Sequence, residues 1–250
     1  KGDLAGIIKK IRSGEIAGAN VTRPHKEVVI KYLDKLTPAA KKIGAVNTIY
    51  RRGNKVVGDN TDGRGFLTAL CRRVDVPTCR RAIIMGAGGA AKAICHALCD
   101  TSINSLAIVN RSISNAKKLI KLLTPLRQHV STSAHQHVDT STLQNVDTSA
   151  RLHVGTSSRR HIGTLLINST PLGSPGHPWP SLDFVKRLPK NTVVFDIVTH
   201  PAETPLIKAA KRRGLKVIYG REMLLHQGAL AFEAWTGRKA PINVMRAAID

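Results

Sequence analysis

Acidic residues are scarce in this chain. Its 250 residues hold 39 Lys and Arg against 16 Asp and Glu, a formal net charge of +23. A nucleic-acid binder concentrates such an excess on one face or tail. Here the basic residues are spread along the whole sequence with no basic arm. Nucleic acid is therefore the lesser expectation, and a field that favours and speeds the arrival of small anionic ligands is the greater one. Cysteine is also sparse: Cys71, Cys79, Cys95 and Cys99 are too few for a disulfide scaffold of this length. The i, i+4 pair Cys95 and Cys99, with His96 beside it, allows a zinc reading. Small buried thiols in a reducing cytosol are the simpler one, so no metal is expected. No apolar run reaches the ~18 residues that span a bilayer, and the start, Lys1-Gly-Asp-Leu-Ala-Gly, has no secretory h-region. A cytoplasmic chain without membrane contact is expected, and the missing Met suggests that an N-terminal piece precedes Lys1.

What is present is alternation. Gly18–Thr22 reads as a short strand, and Pro24–Leu33 as a helix with proline in its first turn. Val46–Arg51 and Lys55–Gly58 read as strands about a Gly53-Asn54 turn, and Asp62–Arg73 as a helix with Phe66, Leu67 and Leu70 on one face. From about Thr78 the apolar runs become continuous, the mark of buried parallel strands. Such runs occur at 81–85, 105–109, 164–167, 192–196 and 215–218, with helices at 90–98, 115–123, 204–213, 222–235 and 242–249. This order specifies an α/β fold built on a doubly wound parallel sheet.

Residues 129–164 break the pattern with an octad that opens His129-Val-Ser-Thr-Ser and recurs from His137, Asn145 and His153. The repeat itself explains the spacing of its histidines, and the tract lacks thiolate partners for a metal. A solvated, low-complexity insertion is the preferred reading.

Gly86-Ala-Gly-Gly-Ala-Ala91 follows a strand and opens a helix. Gly86, Gly88 and Ala91 fit G-x-G-x-x-G/A, in which the glycines permit a tight turn and close approach of a pyrophosphate to backbone. The next strand ends Val109-Asn-Arg-Ser112. An NAD site commonly has an acid there for the ribose 2′-hydroxyl. Arg111 instead suits a 2′-phosphate, which points to NADP. Lys26 and Asp62 are the chemical pair. A lysine of lowered pKa can shuttle the hydroxyl proton while hydride passes to or from a nicotinamide, and a neighbouring carboxylate can orient both.

The strings Asn20-Val-Thr-Arg-Pro-His-Lys26, Ile43-Gly-Ala-Val-Asn-Thr48, Gly58-Asp-Asn-Thr-Asp-Gly63, Gly86–Ala91, Asn110-Arg-Ser112, Asn168-Ser-Thr-Pro-Leu-Gly173, Asp196-Ile-Val198 and Gly220-Arg-Glu-Met-Leu-Leu-His-Gln227 occur in that order, and Ala231-Phe-Glu-Ala-Trp-Thr-Gly237 closes the set. In this the chain resembles the shikimate dehydrogenase family across nearly its whole length outside the octads. The resemblance implies two domains: a Rossmann-like doubly wound sheet, and a smaller, discontinuous α/β substrate domain, with a cleft between them. Residues 1–75 and 222–250 would form the substrate domain, and 76–221 the nucleotide domain. It implies Lys26 and Asp62 as the catalytic pair, and Thr22, Asn47, Asp62 and Gln227 as substrate ligands. Gly86, Ala87, Gly88, Gly89, Ala90, Asn110, Arg111, Ser112, Thr170 and Gly220 would hold NADP.

The implied reaction is the reversible reduction of 3-dehydroshikimate to shikimate by NADPH, a step of aromatic amino-acid synthesis, in a monomer or homodimer. Two rivals remain: a quinate/shikimate dehydrogenase of mixed NAD and NADP use, against which Arg111 argues, and a non-catalytic descendant that binds nucleotide or RNA. Three departures bear on this choice. No Ser-x-Ser pair for the substrate carboxylate precedes Asn20, and Val198-Thr-His-Pro201 stands where the family has Val-Tyr-Asn-Pro, with His200 as a substitute aromatic. Asn115 occupies the place of a second basic residue, for which Lys117 or Lys118 can substitute.

Overall fold

The computed structural model describes residues 3–74, 81–101, 103, 105–123 and 163–249. The octads up to residue 162, Cys79 and the expected start of the second unit near Thr78 lie outside them. The chain divides into two compact units, Lys1–Thr68 with Met223–Asp250, and Ala69–Glu222.

The first unit carries a four-stranded mixed sheet of order β1-β3-β4-β2. Its strands are β1 (Gly18–Asn20), β2 (Lys35–Leu36), β3 (Thr48–Arg52) and β4 (Lys55–Asp59). β3 and β4 form the expected hairpin, with Gly53 in the left-handed region at its turn. Three elements escaped the sequence reading. Helix α1 (Leu4–Ser13) is capped by Asp3, whose carboxylate accepts from the Gly6 amide, and ends at Gly14 in the left-handed conformation. It buries Ile8 and Ile11 against Val29, Ile49 and Val56. Helix α3 (Pro38–Ile43) has Thr37 as its N-cap, proline in its first turn and left-handed Gly44 at its end. β2 is too short to show a period.

The expected helix Pro24–Leu33 is replaced by two short pieces, α2 (His25–Val28) and a 3-10 turn over Val29–Tyr32. Pro24 caps α2 and does not sit inside it. Three successive β-branched residues, Val28, Val29 and Ile30, favour a regular helix weakly, and burial of Val29 then sets the local geometry. Helix α4 (Asp62–Cys71) leaves β4 through Asn60 and Thr61 and buries Phe66 and Leu70 completely.

The second unit is a five-stranded, all-parallel sheet of order β6-β5-β7-β8-β9. Its strands are β5 (Arg81–Met85), β6 (Ser105–Val109), β7 (Thr164–Asn168), β8 (Thr192–Asp196) and β9 (Lys216–Tyr219). The order reverses at β5, so the sheet is doubly wound, as the alternation predicts. Helices α5 (Gly89–Cys99), α6 (Ile113–Leu123) and α7 (Pro205–Arg212) accompany these strands. Ile83, Leu166 and Val194 join Leu206, Ala210 and Phe184 in one apolar cluster. The long helix α8 (Gly220–Thr236) and α9 (Ile242–Ala247) complete the chain. Among the described residues no helix is long and apolar enough to cross a membrane.

Candidate functional site

Each unit carries one set of candidate residues. In the first unit, α2 presents Lys26 and the first turn of α4 presents Asp62. The Lys26 Nζ donates to Asp62 Oδ2 at 2.6 Å across 36 residues of sequence. Asp62 is buried and Lys26 mostly so, with 7% and 16% of their side chains exposed. The other carboxylate oxygen, Oδ1, accepts from Asn47 Nδ2 at 2.8 Å. The carboxylate is therefore held on both sides, and it lies at the positive end of a helix.

Asn47 is itself fixed. Its Oδ1 accepts from the Thr61 amide at 2.8 Å and from Thr48 Oγ1 at 2.9 Å. Its Nδ2 lies 3.3 Å from Gln227 Oε1, a partner 180 residues away. Gln227 comes this close because α8 passes over Gly65 of α4. A Cβ on Gly65 would stand 2.6 Å from the Gln227 amide nitrogen. Thr22 lies exposed in the loop between β1 and α2, and its hydroxyl makes no hydrogen bond among the described residues. The structure thus unites Lys26, Asp62, Asn47 and Gln227, and leaves Thr22 open to solvent.

Sequence reasoning quoted Asn20, Thr48, Asn60 and Thr61 without giving them a part. Thr48, Asn60 and Thr61 are buried. Asn60 Oδ1 accepts from the Asp62 amide and its Nδ2 donates to the Ala45 carbonyl. Asn20 Nδ2 donates to the Asn47 carbonyl. The available signal was the density of uncharged polar residues next to a strand, where a buried polar group must find a partner.

In the second unit, sheet register lines up the strand ends. Val109 and Asn168 pair with Met85, Asp196 with Asn168, and Tyr219 with Asp196. Every expected cofactor residue follows closely on one of these five ends, at the carboxyl edge of a parallel sheet, where such folds bind ligands. Gly86 has φ +113°, open only to glycine, and a Cβ there would stand 2.6 Å from Ser169 Oγ. Gly88 caps α5, is exposed, and a Cβ on it would meet nothing within 4 Å. No side chain caps this helix N-terminus, which suits a pyrophosphate. Ala91 is fully buried against the sheet.

Arg111 is exposed and makes no hydrogen bond or ion pair among the described residues. Its loop is shaped by Asn110 Nδ2, which donates to the Ser112 carbonyl at 2.8 Å. Lys117 and Lys118 are exposed on α6, and His200 is exposed in its loop. Two candidates have structural work of their own. Thr170 Oγ1 donates to Asn168 Oδ1 at 2.6 Å. A Cβ at Gly220 would stand 2.4 Å from the Val198 carbonyl. Beneath them lies a polar cluster absent from the expectations: Asp196 accepts from Asn168 Nδ2, the Val198 amide and Thr204 Oγ1. Burial holds the Asp196 carboxyl above the usual carboxylate range, against the opposing pull of these donors.

The reading of the cysteines as buried needs correction: Cys95 is fully buried, Cys99 partly, and Cys71 is exposed. Burial, with a smaller effect from Cys99, pushes the Cys95 thiol far up and keeps it protonated. Among the described residues no group of three His, Cys, Asp or Glu side chains is placed to hold a metal.

Family models match along the chain: the shikimate dehydrogenase substrate binding domain over residues 1–49, shikimate / quinate 5-dehydrogenase over 71–153, and the shikimate 5′-dehydrogenase C-terminal domain over 220–249. Shikimate dehydrogenase (NADP(+)) of Symbiobacterium thermophilum is 39% identical over 98% of this chain and 79% of that protein. The chain belongs to the shikimate dehydrogenase family. Among solved members of similar structure, shikimate 5-dehydrogenase from Thermus thermophilus in complex with NADP(H) and shikimate is 31% identical. It has a TM-score of 0.74 and covers 98% of this chain and 82% of its own. The 5-ketofructose reductase of Gluconobacter sp. strain CHM43 is 33% identical, with a TM-score of 0.79 and the same coverage of both chains.

Proposed function

We propose that this chain catalyses the reversible, NADPH-dependent reduction of 3-dehydroshikimate to shikimate. One observation carries the proposal: in a chain of this family, the Lys26 ammonium and the Asp62 carboxylate lie 2.6 Å apart, with Asn47 on the second carboxylate oxygen. A proton donor fixed by a carboxylate and bordered by amide and hydroxyl groups suits a carbonyl on a polyhydroxylated ring. On this reading residues 1–75 and 222–250 bind the substrate, and 76–221 bind the nucleotide.

The nucleotide end fits NADP. Gly88, where a Cβ would meet nothing within 4 Å, offers open backbone for the pyrophosphate beside the Gly86 turn, and Arg111, with Asn110 and Ser112 shaping its loop, is a guanidinium without a partner among the described residues that suits the 2′-phosphate. NADPH, when bound, supplies the hydride. In the direction of reduction Lys26 Nζ gives its proton to the oxygen of the carbonyl being reduced, and in oxidation it takes that proton back. Asp62 holds the ammonium in place and balances its charge. Asn47, Gln227 and the exposed Thr22 hydroxyl bind ring hydroxyls or the carboxylate.

The test is NADPH formation from shikimate and NADP by the purified chain, beside Lys26→Ala, with quinate and 5-ketofructose as rival substrates. Turnover of shikimate that is lost in Lys26→Ala supports the proposal. Turnover unchanged by the substitution, or selective for a rival substrate, overturns it.

A further inference from the structure

Asp59 is the residue immediately before the Asn60-Thr61-Asp62 turn, and nothing in the reaction above uses it. It is 5% exposed. A buried carboxylate is costly unless every oxygen has a partner, and here both do. Oδ1 accepts from the Asn60 amide at 2.7 Å and from Thr37 Oγ1 at 2.6 Å. Oδ2 pairs with the guanidinium of Arg64, in the first turn of α4, whose own side chain is about half exposed. The backbone of Asp59 has a second task, since its carbonyl accepts from the Asn47 amide at 3.0 Å. One residue thus ties together the cap of α3, the turn that leads to Asp62, the helix that carries Asp62, and the strand start that carries Asn47.

We propose that Asp59 is a positioning residue for the Lys26–Asp62 pair, acting through the turn 60–62 and the first turn of α4 with Thr37 and Arg64 as its partners. It touches neither substrate nor cofactor. Its carboxylate fixes where the Asp62 side chain stands, and Asn47 fixes how that side chain is turned. The inference rests on the reading of Lys26 and Asp62 as the catalytic pair.

The experiment is a double-mutant cycle on the full chain, with kcat and both KM values measured for Asp59→Ala in the natural background and in Asp62→Asn. Displacing a reacting group by ~1 Å can cost on the order of 100-fold, so Asp59→Ala should lower kcat by about 10-fold or more. The KM for NADP should stay unchanged, because the nucleotide residues are untouched. In Asp62→Asn the further loss should vanish, since the group being positioned is gone. Asp59→Asn keeps an acceptor for Thr37 and the Asn60 amide, and should recover most of kcat.

Equal losses in both backgrounds, or a parallel rise in the KM for NADP, would reduce Asp59 to general support of the fold and overturn the proposal. Should Asp59→Ala fail to fold, Arg64→Ala and Thr37→Val each remove one partner. Each should show a smaller loss of kcat that also disappears in Asp62→Asn, and wild-type kcat in both would overturn the proposal. If Asp62→Asn alone turns over normally, the reading of the catalytic pair is wrong and this inference falls with it. If Asp62→Asn loses turnover while the Asp59, Arg64 and Thr37 variants keep theirs, only this inference fails.

Discussion

The two units make their candidate sites from different material. In the unit of residues 69–222 the candidate site is made largely of backbone, with the Arg111 side chain beside it. Strand ends brought into register by the parallel ladder present loops in which Gly86 makes a tight turn and Gly88 leaves the backbone open. In the unit of residues 1–68 and 223–250 the site is made of side chains. Lys26, Asn47, Asp62 and Gln227 meet from four places in the chain; Lys26 is held by the Asp62 carboxylate, and Asp62 and Gln227 by the Asn47 amide. A backbone site needs particular residues at particular spacings and tolerates little else. A side-chain site needs a network, in which the reacting groups are few and their supports many.

The sharpest way to break this comparison is to remove the reacting group. Lys26→Ala should reduce turnover by about 100- to 10,000-fold, the usual range for loss of a general acid–base. NADP binding, measured by fluorescence titration, should be unchanged. A matching loss of NADP affinity would show that the two sites are not separable.

The backbone counterpart is Gly86→Val. The residue must hold φ +113° with a Cβ 2.6 Å from Ser169 Oγ, a strain of about 1–3 kcal/mol. NADP affinity should fall about 10- to 100-fold, while shikimate binding, measured by calorimetry, should persist. Full NADP affinity in the valine variant would refute the role given to that turn.

Arg111→Ala should cost about tenfold in the KM for NADP and nothing in that for NAD, the worth of one charge-assisted contact. Equal effects on the two nucleotides would remove Arg111 from the 2′-phosphate.

Gly65→Ala sharpens the side-chain half. Its Cβ would press on the backbone of Gln227 at 2.6–2.9 Å, so stability should fall by about 1–3 kcal/mol. Thermal unfolding should show this, together with a raised KM for shikimate. An unchanged KM would separate Gln227 from the substrate.

The smallest effect concerns pH. Burial raises the folded-state pKa of Asp196 above its unfolded value. Its titration therefore favours the folded state most below the unfolded pKa, near 3.8, and that contribution is lost as pH rises through the folded pKa. The stability of the natural chain relative to Asp196→Asn should accordingly decline from pH 4 towards pH 7 in chemical denaturation. A difference that grows over this range would contradict the sign.

The second unit was the more legible in sequence. Arg81–Met85, Ser105–Val109 and Thr192–Asp196 are continuous apolar runs, and the observed strands have those bounds. In the first unit the strands β3 and β4 were readable from their turn, whereas α1 and α3 were overlooked although Asp3, Thr37, Pro38, Gly14 and Gly44 are ordinary cap signals. The helix expected over Pro24–Leu33 failed because propensity competes with burial over so few residues. Lys26 and Asp62 were singled out for their proton chemistry, and Asn47 and Gln227 through family likeness alone; that the four meet was not legible. Asn60 and Thr61 carried only the density of uncharged polar residues beside a strand, and Asp59 no signal that separated support from surface.

By itself the sequence determined the alternation of strands and helices, the glycine turn after β5 and the family to which the chain belongs, because these depend on residue type at short separations. Only the tertiary structure decided that Asp62 is gripped by Lys26 on one oxygen and Asn47 on the other, that Gln227 reaches them across Gly65, and that Asp59 lies buried beneath the turn. Contacts between residues up to 180 positions apart follow from how elements pack, and packing is set by the shape of the whole core rather than by any local pattern.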